Sequence, residues 1–142
     1  IVSSPAGILA AIVDLSPVDA ELPLLIRNEL EKITKPSFKS ERELPEWGDI
    51  FSSYVHFIRP EDKDDEELFL HVVDDYLRIL VDFIPNLESD TPESGLTIKR
   101  SNYQKFYCQQ QKRNDKTRNV LAKAFNPQWA ESYIDTVLFD SP

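Results

Sequence analysis

The sequence contains no methionine, three glycines, two histidines and a single cysteine, and each scarcity excludes something. One thiol, Cys108, cannot close an internal disulfide or build a metal cage alone. It fits a reducing compartment, the cytoplasm, and its ordinary role is a half-buried spectator rather than a nucleophile. His56 and His71 have no histidine or cysteine at ligand spacing beside them. Both read as structural or surface side chains, and no metal is expected. So few glycines leave no phosphate-cradling loop, and no serine sits in a nucleophile elbow. Flavin and nicotinamide fingerprints are missing, as are the grouped cysteines of an iron–sulfur site. No apolar run approaches the roughly 18 residues that span a bilayer, so no membrane segment is expected. The apolar opening lacks the basic start and small-residue cleavage site of a signal peptide. With no methionine there is no initiator residue, and further chain upstream of Ile1 is expected.

What is present is ordinary for a globular domain: 41% hydrophobic and 29% charged residues in 142, enough apolar matter for a real core. The charge is unevenly spread. Residues 99–123 carry +7, the rest of the chain −16, and the total is −9. An acidic chain with one basic block has a directional field. It repels the phosphates of nucleic acid over most of its length, so nucleic acid is not an expected partner. The basic block suits a small anionic ligand or a small acidic protein.

Apolar patterning gives a coarse element order. Gly7 to Leu15 is a short apolar run ended by Ser16-Pro17, and it predicts a strand buried on both faces. Ala20 to Ile33 places Leu22, Leu25, Ile26, Leu30 and Ile33 at helical spacing, with Pro23 in the first turn. Thr34 to Gly48 reads as loop. Ile50 to Arg59 predicts a second strand, stopped by Pro60. The acids from Glu61 to Glu67 suit the N-terminus of a helix running to about Ile84, with Leu68, Val72, Tyr76, Leu80 and Phe83 on one face. Asn86 to Gly95 is polar loop. Residues 96–125 predict helix with a break near Asn114, and Asn126-Pro127 predicts a cap and first position for a last helix from Gln128 to about Leu138. Two strands and four or five helices describe an α/β domain whose sheet needs further strands.

Two segments rise above this pattern. One is Arg42-Glu43-Leu44-Pro45-Glu46-Trp47-Gly48-Asp49-Ile50-Phe51-Ser52. The other runs from Tyr107-Cys108-Gln109-Gln110-Gln111-Lys112-Arg113-Asn114-Asp115-Lys116-Thr117-Arg118 to Phe125, continued by Trp129-Ala130-Glu131-Ser132-Tyr133 and Val137-Leu138-Phe139-Asp140. With the opening Ala10-Ala11-Ile12-Val13-Asp14-Leu15-Ser16-Pro17, these resemble the ferredoxin-dependent bilin reductases, and among them the phycocyanobilin-forming branch. The resemblance spans nearly the whole chain and is weakest over residues 18–39 and 77–100.

The resemblance implies an α/β/α sandwich with a central antiparallel sheet flanked by helices, of which residues 1–142 would be the C-terminal portion of a single domain. It implies reduction of biliverdin IXα to phycocyanobilin by sequential electron and proton transfers, although this chain by itself is expected to be inactive. Electrons would come from a reduced [2Fe-2S] ferredoxin and no cofactor would be bound. By the same resemblance Arg42, Asn114 and Lys116 match positions on the substrate's propionate side, and Trp47, Tyr107 and Val120 match positions near the pocket. Asp115 matches a proton donor to one end of the tetrapyrrole in relatives that make phycoerythrobilin. The chemistry of these residue types agrees, because a flat dianion needs cations for its carboxylates and apolar walls for its rings. Lys105 and Lys112, in the basic block, are candidates for docking ferredoxin. Each residue also has a plainer reading: Asn114-Asp115 as a helix cap with an acid in the first turn, Arg42 as a solvated loop charge, Trp47 as a core anchor.

The chain departs from the family pattern in two places. The family's central proton-donating aspartate, aligned on this opening strand, would fall just before Ile1, and its catalytic histidine and glutamate further upstream. A strand serine that assists a propionate in relatives is here Leu9. Alternatives are therefore a non-catalytic bilin-binding protein of the same fold, or a reductase that makes a different bilin.

Overall fold

A computed structural model of the chain describes residues 1–19 and 21–140, which form two compact units. The first comprises residues 1–17 and 21–89, the second residues 18–19 and 90–140 among those described.

The first unit is an antiparallel three-stranded sheet, β1 (Val2–Ser4), β2 (Gly7–Val13) and β3 (His56–Ile58), in that spatial order. Gly7 closes the β1–β2 hairpin with a φ of 116°, a conformation that side chains disfavour. In the β1–β2 register Val2 faces Ala10 while Ser3 faces Ile8, so Leu9 is one residue extra, a β-bulge. Across β2 and β3, Ala11 pairs with Ile58, Ile12 with Phe57 and Val13 with His56. Beyond β3, Glu41 forms a single further bridge to Ile58, and Arg42 N–H donates to the Phe57 carbonyl at 2.8 Å.

Two helices, α1 (Leu24–Leu30) and α2 (Lys63–Phe83), belong to the same unit as the sheet. The core is Ala11, Leu22, Ile26, Leu30, Phe38, Ile58, Phe69, Val72 and Tyr76. Its α2 members recur at three- and four-residue intervals, one stripe of an amphipathic helix. Asp62 caps α2 by accepting from Asp65 N–H at 3.1 Å, and Asp65 in turn accepts from Glu61 N–H at 3.0 Å. Acids Asp64, Asp65 and Glu66 fill the first turn, where the helix dipole favours them, as the sequence predicts. Lys39 pairs with Asp62, which holds the lysine above and the aspartate below their ordinary pKa values.

Three expectations are corrected here. β2 is not buried on both faces: Ala11 is 1% exposed, but Leu9 is 42% and Ile12 38%. The helices cover the face that carries Ala11 and Ile58, and the opposite face carries Ile12 and Phe57. β3 is three residues, not ten, because Asp14 takes both the N–H and the hydroxyl of Ser52, at 3.0 and 2.5 Å, and turns that segment out of the ladder. Ile50 ends a short 3₁₀ turn, Gly48–Ile50, instead. Leu25 is exposed, because α1 begins only after Pro23 and its seven residues bury Ile26 and Leu30. Residue 20, the expected start of that helix, lies outside the described residues.

The second unit holds α3 (Gly95–Gln111), α4 (Asp115–Ala124) and α5 (Pro127–Tyr133), the last continued by one π turn, Ile134–Leu138. The break expected near Asn114 is present, and so are the Asn126 cap and Pro127 at the first helical position. Ala130 and Ile134 are fully buried, which anchors α5. Phe125, Trp129 and Tyr133 are four residues apart; Phe125 is tilted against Trp129 with centroids 4.1 Å apart, and Trp129 stacks on Tyr133 at 4.7 Å. The chain is thus a mixed α/β protein of five α-helices and an antiparallel sheet among the described residues.

His56 sits on the core side of β3, edge-on to Phe38 at 5.7 Å and tilted against Tyr76 at 6.1 Å. Burial lowers its pKa from the ordinary 6.5. The folded protein therefore binds this proton less readily than the unfolded chain. The stabilisation from a neutral ring is complete above the unfolded value and is lost as pH falls through the lower, folded value. Urea midpoints measured from about pH 7 to about pH 5 should fall more steeply for the parent than for His56→Gln. Parallel slopes would contradict this reading of His56.

Candidate functional site

In the first unit Arg42 lies on the sheet face opposite the one that α1 and α2 cover, and Trp47 on the turn that follows. Arg42 is placed there by the bridge from Glu41 to β3. Its guanidinium lies over the Phe57 ring, 5.2 Å from the centroid, and Nη1 donates to the carbonyl of the bulged residue Leu9 at 3.3 Å. A bulge leaves a carbonyl outside the ladder, and here an arginine takes it. Ile12, paired with Phe57, and exposed Leu9 complete an apolar surface around the cation. Planar, exposed and held at two points, Arg42 is prepared to receive a carboxylate.

Trp47 stands on the turn that leads back to β3, half-buried, its ring 6.2 Å from that of Phe51. The turn depends on Gly48, whose N–H donates to the Pro45 carbonyl at 2.8 Å. A Cβ at Gly48 would come within 3.0 Å of the Leu44 Cβ. The far end of the turn is held by Asp14, which accepts from Ser16 at 2.7 Å as well as from Ser52. Tyr76 donates to the Tyr54 carbonyl just beyond, and burial pushes its phenol pKa well up. Sequence reasoning missed this clamp. Asp14-Leu15-Ser16 gave a local signal for a side-chain turn, but nothing in the sequence points to Ser52, 38 residues away.

In the second unit Asn114, Asp115 and Lys116 are brought together at the turn between α3 and α4. Asn114 caps α4, its Oδ1 accepting from Thr117 N–H at 3.2 Å, and Asp115 is the acid of the first turn. The plainer reading is therefore correct as far as it goes. It leaves the Asn114 amide nitrogen as a donor. Asp115 is exposed and pairs with Arg118 at 2.9 Å, and Lys116 is exposed. Tyr107 is half-buried, its hydroxyl accepting from Gln111 at 2.9 Å, and Val120 is exposed on α4.

The basic block is less open than its sequence charge implies. Lys99 pairs with Asp19, Arg100 with Asp90, Lys112 with Asp135, and Arg118 with Asp115 and Glu131. Four of those acids lie outside residues 99–123, which the local count cannot see. Lys105 is exposed on α3, whereas Lys112 is half-buried at its end. Among the described residues, no group of three or more His, Cys, Asp or Glu side chains converges as a cation site. No helix among them is long and apolar enough to cross a membrane.

The profile of the family described as ferredoxin-dependent bilin reductase matches residues 1–140. The chain belongs to that family. It is 54% identical over its full length to phycocyanobilin:ferredoxin oxidoreductases of Prochlorococcus marinus and of a Synechococcus species, covering 58% of each. It is 42% identical to the enzyme of the same name from Trichodesmium erythraeum, again covering all of this chain and 58% of the relative. The chain thus spans little more than half the length of the curated relatives it matches.

The two possible roles of Asn114 separate experimentally. Asn114→Ala should lower stability by about 1 kcal/mol through loss of the cap, whereas Asn114→Asp should keep the cap. If the amide nitrogen also serves a ligand, both variants lose bilin affinity. Thermal midpoints together with absorbance titrations decide it, and an Asp variant that binds like the parent leaves Asn114 as a cap alone.

Proposed function

We propose that the protein reduces biliverdin IXα to phycocyanobilin, taking electrons one at a time from reduced [2Fe-2S] ferredoxin, with no bound cofactor of its own. The observation that carries this reading is the setting of Arg42, a pre-oriented guanidinium on an otherwise apolar, uncovered sheet face. A flat conjugated dianion needs that combination: a fork for a propionate and a greasy wall for the rings. The 54% identity to proteins named for phycocyanobilin favours that product over another bilin.

In this reading Arg42 takes a propionate in the first unit, and Asn114 and Lys116 offer a donor and a charge to propionate oxygens in the second. Trp47, Tyr107 and Val120 contribute apolar surface. The protein's work is to position the tetrapyrrole and supply protons, because each electron added to the conjugated system must be matched by a proton. Asp115 is assigned to proton transfer at one end of the substrate. It is held by Arg118, so it must leave that pair to serve. Lys105, with Lys112, is assigned to the approach of ferredoxin, where exposed charge steers the encounter more than it adds affinity. The Lys112–Asp135 pair makes Lys105 the stronger of the two.

The test is an absorbance titration of the intact protein with biliverdin and with its dimethyl ester. Loss of a charged hydrogen-bonding partner costs about 1.5–3 kcal/mol, a factor of ten or more in Kd. Arg42→Gln and Lys116→Gln should each weaken biliverdin binding by about that factor, and the diester should bind the parent weakly. Variants that bind like the parent, with a diester that binds equally well, would refute the assignment.

A further inference from the structure

Among the described residues of the second unit, Arg118 stands out for three directed side-chain contacts. Its Nε donates to Glu131 on α5 at 2.7 Å, Nη1 to Asp115 at the start of α4 at 2.9 Å, and Nη2 to the Lys112 carbonyl at the end of α3 at 2.7 Å. One half-buried guanidinium therefore ties together three helices, and the turn it spans is Asn114-Asp115-Lys116. Apart from Arg118, that turn is held by short-range bonds. These are the Asn114 cap, Asn114 N–H to the Gln111 carbonyl and Asp115 N–H to the Arg113 carbonyl, the latter two at 3.0 Å. None of these three bonds reaches α5. Lys112, just before the turn, pairs with Asp135 on the π turn that follows α5, at 3.4 Å. Arg118 makes the shorter link, to Glu131 at 2.7 Å, and Glu131 adjoins Ala130, which is fully buried, on the helix that continues to buried Ile134. Hydrogen bonding to Glu131 also holds the Arg118 guanidinium above its ordinary pKa.

We propose that Arg118 is a positioning residue for bilin binding: through Glu131 it references the Asn114-Asp115-Lys116 turn to the packed core of α5, and so sets where Lys116 and Asn114 present their donors. This rests on the reading of that turn as a propionate contact. The role needs a guanidinium rather than a charge, because three acceptors lie in three directions around one plane. An ammonium on a flexible stem cannot satisfy all three at once. Arg118 itself need not touch the ligand. It acts by restricting the turn that does, since a group held in the bound geometry loses less freedom on binding.

The experiment is a double-mutant cycle on the intact protein, read as biliverdin Kd by absorbance titration alongside the thermal midpoint. Arg118→Lys should weaken binding about threefold to tenfold, in the range of coupled neighbours. Glu131→Gln, which removes only the α5 anchor at an exposed position, should weaken it less and in the same direction. It keeps the test alive if Arg118 variants fold poorly. A loose structural role would make the losses multiply. The positioning role predicts that Lys116→Gln combined with either variant falls well short of the product of the single losses, because a displaced Lys116 has less left to lose. Multiplying losses would overturn the proposal, as would parent-like binding by Arg118→Lys. If Lys116→Gln alone leaves binding unchanged, this proposal and the reading of the turn fall together. If Lys116→Gln weakens binding and the Arg118 and Glu131 variants do not, only the role of Arg118 is lost.

Discussion

Ala11 and Ile58 face one another across β2 and β3, each about 1% exposed, and their burial against Phe69, Val72 and Tyr76 fixes which side of the sheet is core. Side chains alternate along a strand, so this single pairing decides the rest. His56 and Val13 go inward with it, while Ile12 and Phe57 go outward. A slip of one residue would bury Phe57 and expel Ile58. The bulge at Leu9 adds one more consequence, because it frees a carbonyl on β2 that Arg42 then holds. Arg42 is thus placed by two features together, the outward turn of Phe57 set by the core pairing and the bulge in the β1–β2 ladder.

The second unit solves a different problem. Its helices are polar, and its buried side chains are few, chiefly Ala130 and Ile134. Directed polar contacts take over where packing is thin: caps at Ser94, Asn114 and Asn126, the Lys112–Asp135 pair, and the Arg118 fork. With one partner half-buried and the other largely exposed, such ion pairs add modestly to stability individually. They join the ends of α3, α4 and α5 around the turn that carries Asn114, Asp115 and Lys116. The same pairing removes much of the open positive field from the basic block and leaves Lys105 among its exposed cations.

Much of this was legible in the sequence where the determinants are local. The Asn114 and Asn126 caps, Pro127 at the first helical position and the acidic start of α2 follow from neighbours within four residues. What escaped depends on distant partners. Ile50 to Arg59 has strand-like composition, yet Asp14 bends Ser52 away. The run around Ala11 looks buried on both sides, yet Leu9 and Ile12 are exposed and within its unit α1 and α2 lie on the Ala11 face, because composition does not say how many layers surround a strand. The candidate residues were found by family pattern, not by general motifs, and a pattern names positions without their supports. Gly48, Asp14 and Arg118, which hold those positions in place, emerge only from the folded chain.

If the outer face of β2 and β3 is the apolar wall for the proposed bilin, a charge placed on it must weaken binding. Ile12 tests it most directly, being half-exposed at the middle of that face and paired with Phe57. Glutamate at position 12 places a charge where the tetrapyrrole rings would rest, without opening the core on the other side. Leu77→Glu, on an exposed apolar position of α2, is the control. Biliverdin titrations should show Ile12→Glu folded but weakened about tenfold or more, and Leu77→Glu unchanged. A folded Ile12→Glu protein that binds biliverdin like the parent would contradict the account.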